Sequence, residues 1–330
     1  MNDVLLVVVV AVGLGFDFTN GFHDTANYVA TWVGTRALSP RVAVAVSAAA
    51  NLAGAFVTTA VAKTVGKGII DTGLATEKTV LAALIGAIAW NLITWWLGLP
   101  SSSSHALIGG LVGAALAQSG FSGVQWHGLA HNVAIPALAA PTIAFFGAFL
   151  LLLFIYWVFV WMNPGVANRT FRFGQLASGT WVAFTHGAND AQKTMGVIAL
   201  ALFESGHISH FYIPTWVIVA AGLAIGAGTY AGGWRIMRTL GQRVFSIEPA
   251  SGFAAQITAG ATIYTATKLG YPLSTTHVIS GAVMGAGATK RLSAVRWGVA
   301  GNIVSAWLLT LPAAGLVAAA CYWPVVGIFR

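Results

Sequence analysis

Asp24 and Asp190 lie in two matching polar strings, GFHDTAN (21–27) and GANDAQK (187–193), each surrounded by apolar sequence. A second pair, PSSSSHALIGGLVGA (100–114) and PLSTTHVISGAVMGA (272–286), repeats in the same order. Carboxylates, amides and runs of hydroxyls are costly at membrane depth and persist where protein or a water-filled cavity surrounds them. Duplicated strings of this kind point to a transport site at the interface of two repeats.

Asp17, Asn20, Asp24 and Asn27 recur at three- and four-residue steps, so on a helix they share one face. Oxygen atoms along such a stripe bind a cation or pass a proton. Gly21 weakens a helix here, and a break would free carbonyls as further ligands. The second copy presents Asn189, Asp190, Gln192 and Lys193. Asp190 and Lys193, three apart, either pair with each other or leave the ammonium to hold an oxyanion as a point charge. Asn51, Asn91 and Gln256 stand in otherwise apolar segments. They are candidates for the same coupling-ion or oxyanion chemistry, although single amides also serve to join packed helices.

Ser101, Ser102, Ser103 and Ser104, and likewise Ser274, Thr275 and Thr276, follow a proline and precede an apolar helical stretch. Ser and Thr are usual N-cap residues, and the positive end of a helix with its free N–H groups accepts an anion. Two such tips meeting at mid-membrane would surround a tetrahedral oxyanion without an arginine cluster. His105 and His277 follow the tips at matched positions and His23 and His186 flank the polar strings, whereas His127, His131, His207 and His210 read as loop or interface residues.

The elements that hold these residues must be membrane helices. The chain has 330 residues, of which 57% are hydrophobic and 7% charged, against about 25% charged in soluble domains. That is too little charge to cover a water-facing surface. The net charge of +8 is spread over short loops, which argues for membrane orientation and against nucleic-acid binding. The single cysteine, Cys321, leaves no disulfide or CxxC motif. No GxxxxGK[ST] phosphate loop and no GxSxG elbow occurs, so neither ATP-driven transport nor a serine hydrolase is indicated, and no cofactor is expected.

The pattern predicts an all-α integral membrane protein of about ten membrane segments. The matched strings are offset by 166 residues (21 to 187) and 172 residues (100 to 272). Each repeat reads as broken helix, two helices, Ser/Thr-rich re-entrant or discontinuous tip, helix, and long closing helix. An odd number of segments makes the second repeat enter upside down. The first repeat covers residues 1–162, the second 174–330, and 163–173 connects them. With the N-terminus outside, loops bearing Arg36 and Arg41, Arg169 and Arg172, Arg235, Arg238 and Arg243, and Lys290, Arg291 and Arg296 fall inside, as the distribution of basic residues requires. Lys63, Lys67 and Lys78 oppose this orientation.

NGFHDTAN, HGANDAQK, GLPSSSSHALIGG and GYPLSTTHVISG closely resemble the signature strings of the inorganic phosphate transporter family, and TNGFHDTAN followed by VATWVGTRAL most resembles its bacterial low-affinity branch. The resemblance covers nearly the whole chain. It implies secondary symport of phosphate in the plasma membrane, inverted repeats, a homodimer surrounded by lipid, coupling through Asp24 and Asp190, and phosphate held by the Ser/Thr tips. Proton or Na+ coupling and carriage of phosphate as a complex with Mg2+ or another divalent metal are both compatible with it. Asn51 and Gln256 stand where sodium-coupled eukaryotic members carry Glu, and Tyr28, Trp32 and Gly34 replace smaller or hydroxylated family residues, which suggests a narrowed pathway. A sulfate permease on the same scaffold is the nearest rival, with an anion channel further off.

Overall fold

The computed structural model describes residues 3–232 and 247–329. Arg235, Arg238 and Arg243, used above for orientation, lie outside the described residues. The chain is helical almost throughout: α1 Asp3–Gly34, α2 Pro40–Gly54, α3 Ala60–Lys67, α4 Glu77–Leu97, α5 Ser103–Ser119, α6 Trp126–Val158, α7 Pro164–Glu204, α8 Thr215–Ala231, α9 Pro249–Lys268, α10 Thr275–Lys290 and α11 Trp297–Ile328. A π-helical turn at Ala130–Ala134 lies within α6. α1, α4, α5 with the turn that follows it, α6 and α11 are long and apolar enough to cross a bilayer, which makes this a multi-pass membrane protein.

Two expectations fail at the level of elements. The helices carrying the polar strings are not broken: α1 and α7 run unbroken through Asp24 and Asp190. Gly21 serves close packing and frees no carbonyl. A Cβ there would overlap the backbone of α8 at Ile225 and Thr229, and one on Gly187 would overlap α2 at Asn51. The second concerns residues 163–173. They are helical from Pro164, capped by Asn163, whose side chain accepts the N–H of Gly165 at 2.9 Å. α7 is 41 residues long, or roughly 60 Å at 1.5 Å per residue. Its first turns, with exposed Arg169 and Arg172, therefore project beyond the ~30 Å hydrocarbon layer.

Packing follows one scheme twice. α1 lies against α4 as α7 lies against α9, and α4 against α5 as α9 against α10. α1 also meets α8, as α7 meets α2. The closing helices are exchanged between the halves: α11 packs on α4 and α5, while α6 packs on α9 and α10. Small residues permit these approaches, with Gly109 and Gly113 of α5 against Leu311 and Gly315, and Gly281 and Gly285 of α10 against Pro141 and Phe145. Large apolar side chains of α6 and α11, including Leu138, Phe146, Trp157, Leu308 and Leu316, remain exposed, as lipid-facing residues must.

Candidate functional site

Both hydroxyl tips are helix N-caps. Ser102 accepts the N–H of His105 at 3.1 Å and Ser274 that of His277 at 3.2 Å. One donor of each first turn is thereby engaged, while the remaining N–H groups and the dipole of α5 and α10 face the polar strings. Every tip residue from Ser101 to Ser104 and from Ser274 to Thr276 is buried.

Each aspartate contacts the tip of its own half, and the residue three positions on reaches the opposite tip. Ser103 donates to Asp24 at 3.1 Å, and Thr275 donates to Asp190 at 3.4 Å. Asn27 donates to Thr276 at 2.7 Å across 249 residues. Lys193, its counterpart, donates to Ser104 at 2.5 Å, to the Leu273 carbonyl at 2.8 Å, and to Asp190. All three ammonium protons are thus placed. The two sequence alternatives for Lys193 hold together: it pairs with Asp190 and also ties the carboxylate to the tip of the other half.

His186 gathers the two carboxylates. Its Nε2 lies 3.3 Å from Asp190 and 3.9 Å from Asp24, while Nδ1 bonds the Asn51 oxygen at 2.8 Å. Asn51 in turn donates to the Tyr28 hydroxyl at 2.6 Å and to Thr229 at 3.0 Å. Among the described residues, Asp24, His186 and Asp190 are the one group of such ligands close enough to share a metal ion, their ligand atoms lying within 4.8 Å of one another. His23 donates to Asp24 at 2.8 Å and its other nitrogen meets Thr94 at 3.1 Å. Asn189, which matches His23 in the second string, donates to Thr267 at 2.9 Å and to the Tyr271 carbonyl.

Other expected residues fall elsewhere. Gln256 donates to Thr31 and accepts from Ser178, both at 2.6 Å, and so joins α9 to α1 and α7. Asn20 and Asn91 are buried without hydrogen-bond partners on the α1–α4 side. His105 and His277 lie behind the tips, ring against ring at 4.7 Å, and His277 stacks on Trp307 at 4.0 Å. They border an apolar cavity of about 460 Å³ between α6, α10 and α11. Trp32 fills a gap above Gly179 and donates to the Gln175 carbonyl at 2.5 Å. Tyr28 packs on His186 at 5.1 Å. Both bulky residues are buried in helix contacts.

Carboxylates, an ammonium and two helix starts lie buried together at the meeting of two similarly packed halves of a multi-pass membrane protein. The chain belongs to the phosphate transporter family, whose profile matches residues 20–168 and 161–318. It is 51% identical over 321 residues to a "Probable low-affinity inorganic phosphate transporter" of Rhizobium meliloti, covering 97% of this chain and 96% of that one. A protein of the same description from Bacillus subtilis is 43% identical over 329 residues, covering 99% and 98% of the two chains. Among solved structures, "The sodium-dependent phosphate transporter" superposes with a TM-score of 0.88 at 26% identity, covering 99% of this chain and 100% of that one.

Proposed function

We propose that the protein is a secondary symporter of inorganic phosphate. The observation that carries this is the reciprocal bonding of the two tips, Asn27 to Thr276 and Lys193 to Ser104, which sets two anion-binding helix starts against a pair of buried carboxylates. Phosphate is held by the hydroxyls and first-turn N–H groups of Ser101, Ser102, Ser103, Ser104, Ser274, Thr275 and Thr276, with Asn27 and Lys193 as further donors. The coupling cation or proton is held by Asp24 and Asp190, with Asn189 as a neutral partner, Asn51 and Gln256 supporting the helices around them, and Asn20 and Asn91 beside this group on the α1–α4 side. The duplicated packing supports two inverted repeats, 1–162 and 174–330, and one bundle moving against the other opens the site alternately to either side. The exchange of closing helices argues that the moving bodies are not the sequence halves themselves. Residence in the plasma membrane as a homodimer, and carriage of phosphate with a divalent metal, belong to the same reading.

The test is uptake of labelled phosphate into proteoliposomes, with proton and sodium gradients imposed separately and with or without magnesium. Gradient-driven accumulation above equilibrium supports symport. Equilibration without accumulation would make the protein a channel, and equal competition by sulfate would remove the preference for phosphate.

A further inference from the structure

The proposed symport mechanism leaves one buried carboxylate without a task. Asp17 is fully buried, and among the described residues Thr194 of α7 is the side chain placed to bond its carboxyl group. Both amide atoms of Asn20 and both of Asn91 are buried without hydrogen-bond partners. All four residues have 0% exposure. Asn20 is one turn along α1 from Asp17. Thr194, one turn beyond Asp190, faces Asp17 from α7. α1 and α4 run side by side in register, with Leu84 beside Gly13 and Thr94 bonded to His23. Asn91 and Asn20, each three residues earlier than that bonded pair, therefore stand at one level.

The nearby cationic groups are committed elsewhere. Lys193 donates to Asp190, Ser104 and Leu273, and His186 is held between Asn51 and the other two aspartates. The group also has no copy in the second half. At the offset of 166, Ala183 stands in the place of Asp17 and His186 in the place of Asn20. One half meets the carboxylate pair with an imidazole. The other meets it with His23, an amide and an extra carboxylate.

We propose that Asp17, Asn20, Asn91 and Thr194 form a binding site for one monovalent metal cation, separate from the Asp24–His186–Asp190 cluster. A carboxylate buried without a paired cation is strongly unfavourable, and a bound cation removes that cost. The donor set is one carboxylate with neutral amide and hydroxyl oxygens, which balances a single positive charge and leaves a divalent ion uncompensated. Oxygen ligands of a hard cation converge on the ion and not on one another. The amide oxygens of Asn20 and Asn91, which make no hydrogen bonds, are free to turn to such an ion. The site deepens the symport reading and rests on it only for the ion's purpose.

The experiment is thermal unfolding of the full-length protein in lipid nanodiscs without phosphate, with sodium chloride titrated against choline chloride. A cation that binds only the folded state raises the midpoint saturably. Wild type and Asp24→Asn are expected to show this rise, and Asp17→Asn to lose it. Thr194→Val is expected to shift it to several-fold higher sodium, and that variant carries the test if Asp17→Asn does not fold. The absence of a saturable rise in wild type would overturn the site, as would an unchanged sodium response in either variant. Loss of the response in Asp24→Asn would merge the site with the aspartate cluster and overturn its separateness. An infrared carboxylic-acid band that is absent in Asp17→Asn and insensitive to sodium would assign Asp17 to a proton and also overturn it. Sodium binding without phosphate uptake in proteoliposomes would defeat the transport reading and leave this site standing.

Discussion

Asp24 and Asp190 differ in how their charges are met, and variants should separate them. Asp24 is surrounded by His23, Ser103 and His186, whereas Asp190 has a full ion pair with Lys193. Asp24→Asn and Asp190→Asn are each expected to reduce phosphate uptake to background while protein in the membrane stays near the wild-type level, measured by uptake beside quantitative blotting. Lys193→Met leaves Asp190 buried without its ammonium, a change that costs about 3–5 kcal/mol in buried pairs. It should lower the unfolding midpoint as well as uptake, and Asp190→Asn combined with Lys193→Met should recover much of the midpoint but no uptake. That the two polar strings and the two tips meet was legible in the sequence because the strings are duplicated. The central place of His186 was not, since its counterpart by offset is Asn20 and a lone histidine carries no spacing signal. Asp17 was legible as a member of the stripe, but Thr194 faces it across a helix interface that no local pattern reports.

The helices explain why glycine is placed where it is. Gly21 and Gly187 sit within polar strings, where the sequence suggests a break, yet each marks a crossing of two backbones. Weak propensity and close packing use the same residue, so composition alone does not distinguish them. Gly113 meets the backbone of Gly315, whereas Gly15 has open space where a Cβ would stand. Gly113→Leu is expected to force α5 and α11 apart and destabilise the protein by about 1–3 kcal/mol or more. Gly15→Ala is expected to be neutral or to stabilise by up to about 1 kcal/mol. Thermal unfolding in one detergent compares the two directly, and equal effects would contradict the packing described. The N-caps were fully legible, because a proline followed by Ser or Thr before an apolar run has a local cause. The unbroken course of α1 and α7 was not, because it depends on α8 and α2 lying against them.

For the whole molecule, loop charge and helix order make a topology that labelling can check. In a Cys321→Ser background, Ser122→Cys in the exposed turn after α5 should react with an impermeant maleimide from outside. Asn168→Cys in the exposed start of α7 should react only after the membrane is opened. The reverse pattern would invert the orientation, and labelling of both from one side would break the inverted-repeat reading.

Because α11 completes the surroundings of α4 and α5, and α6 those of α9 and α10, neither sequence half can finish burying its own tip. During synthesis the first tip must wait, its serines unshielded, until the last helix of the chain has entered the bilayer. Severing the chain near residue 163 should therefore give two fragments that are each degraded when made singly and persist when made together.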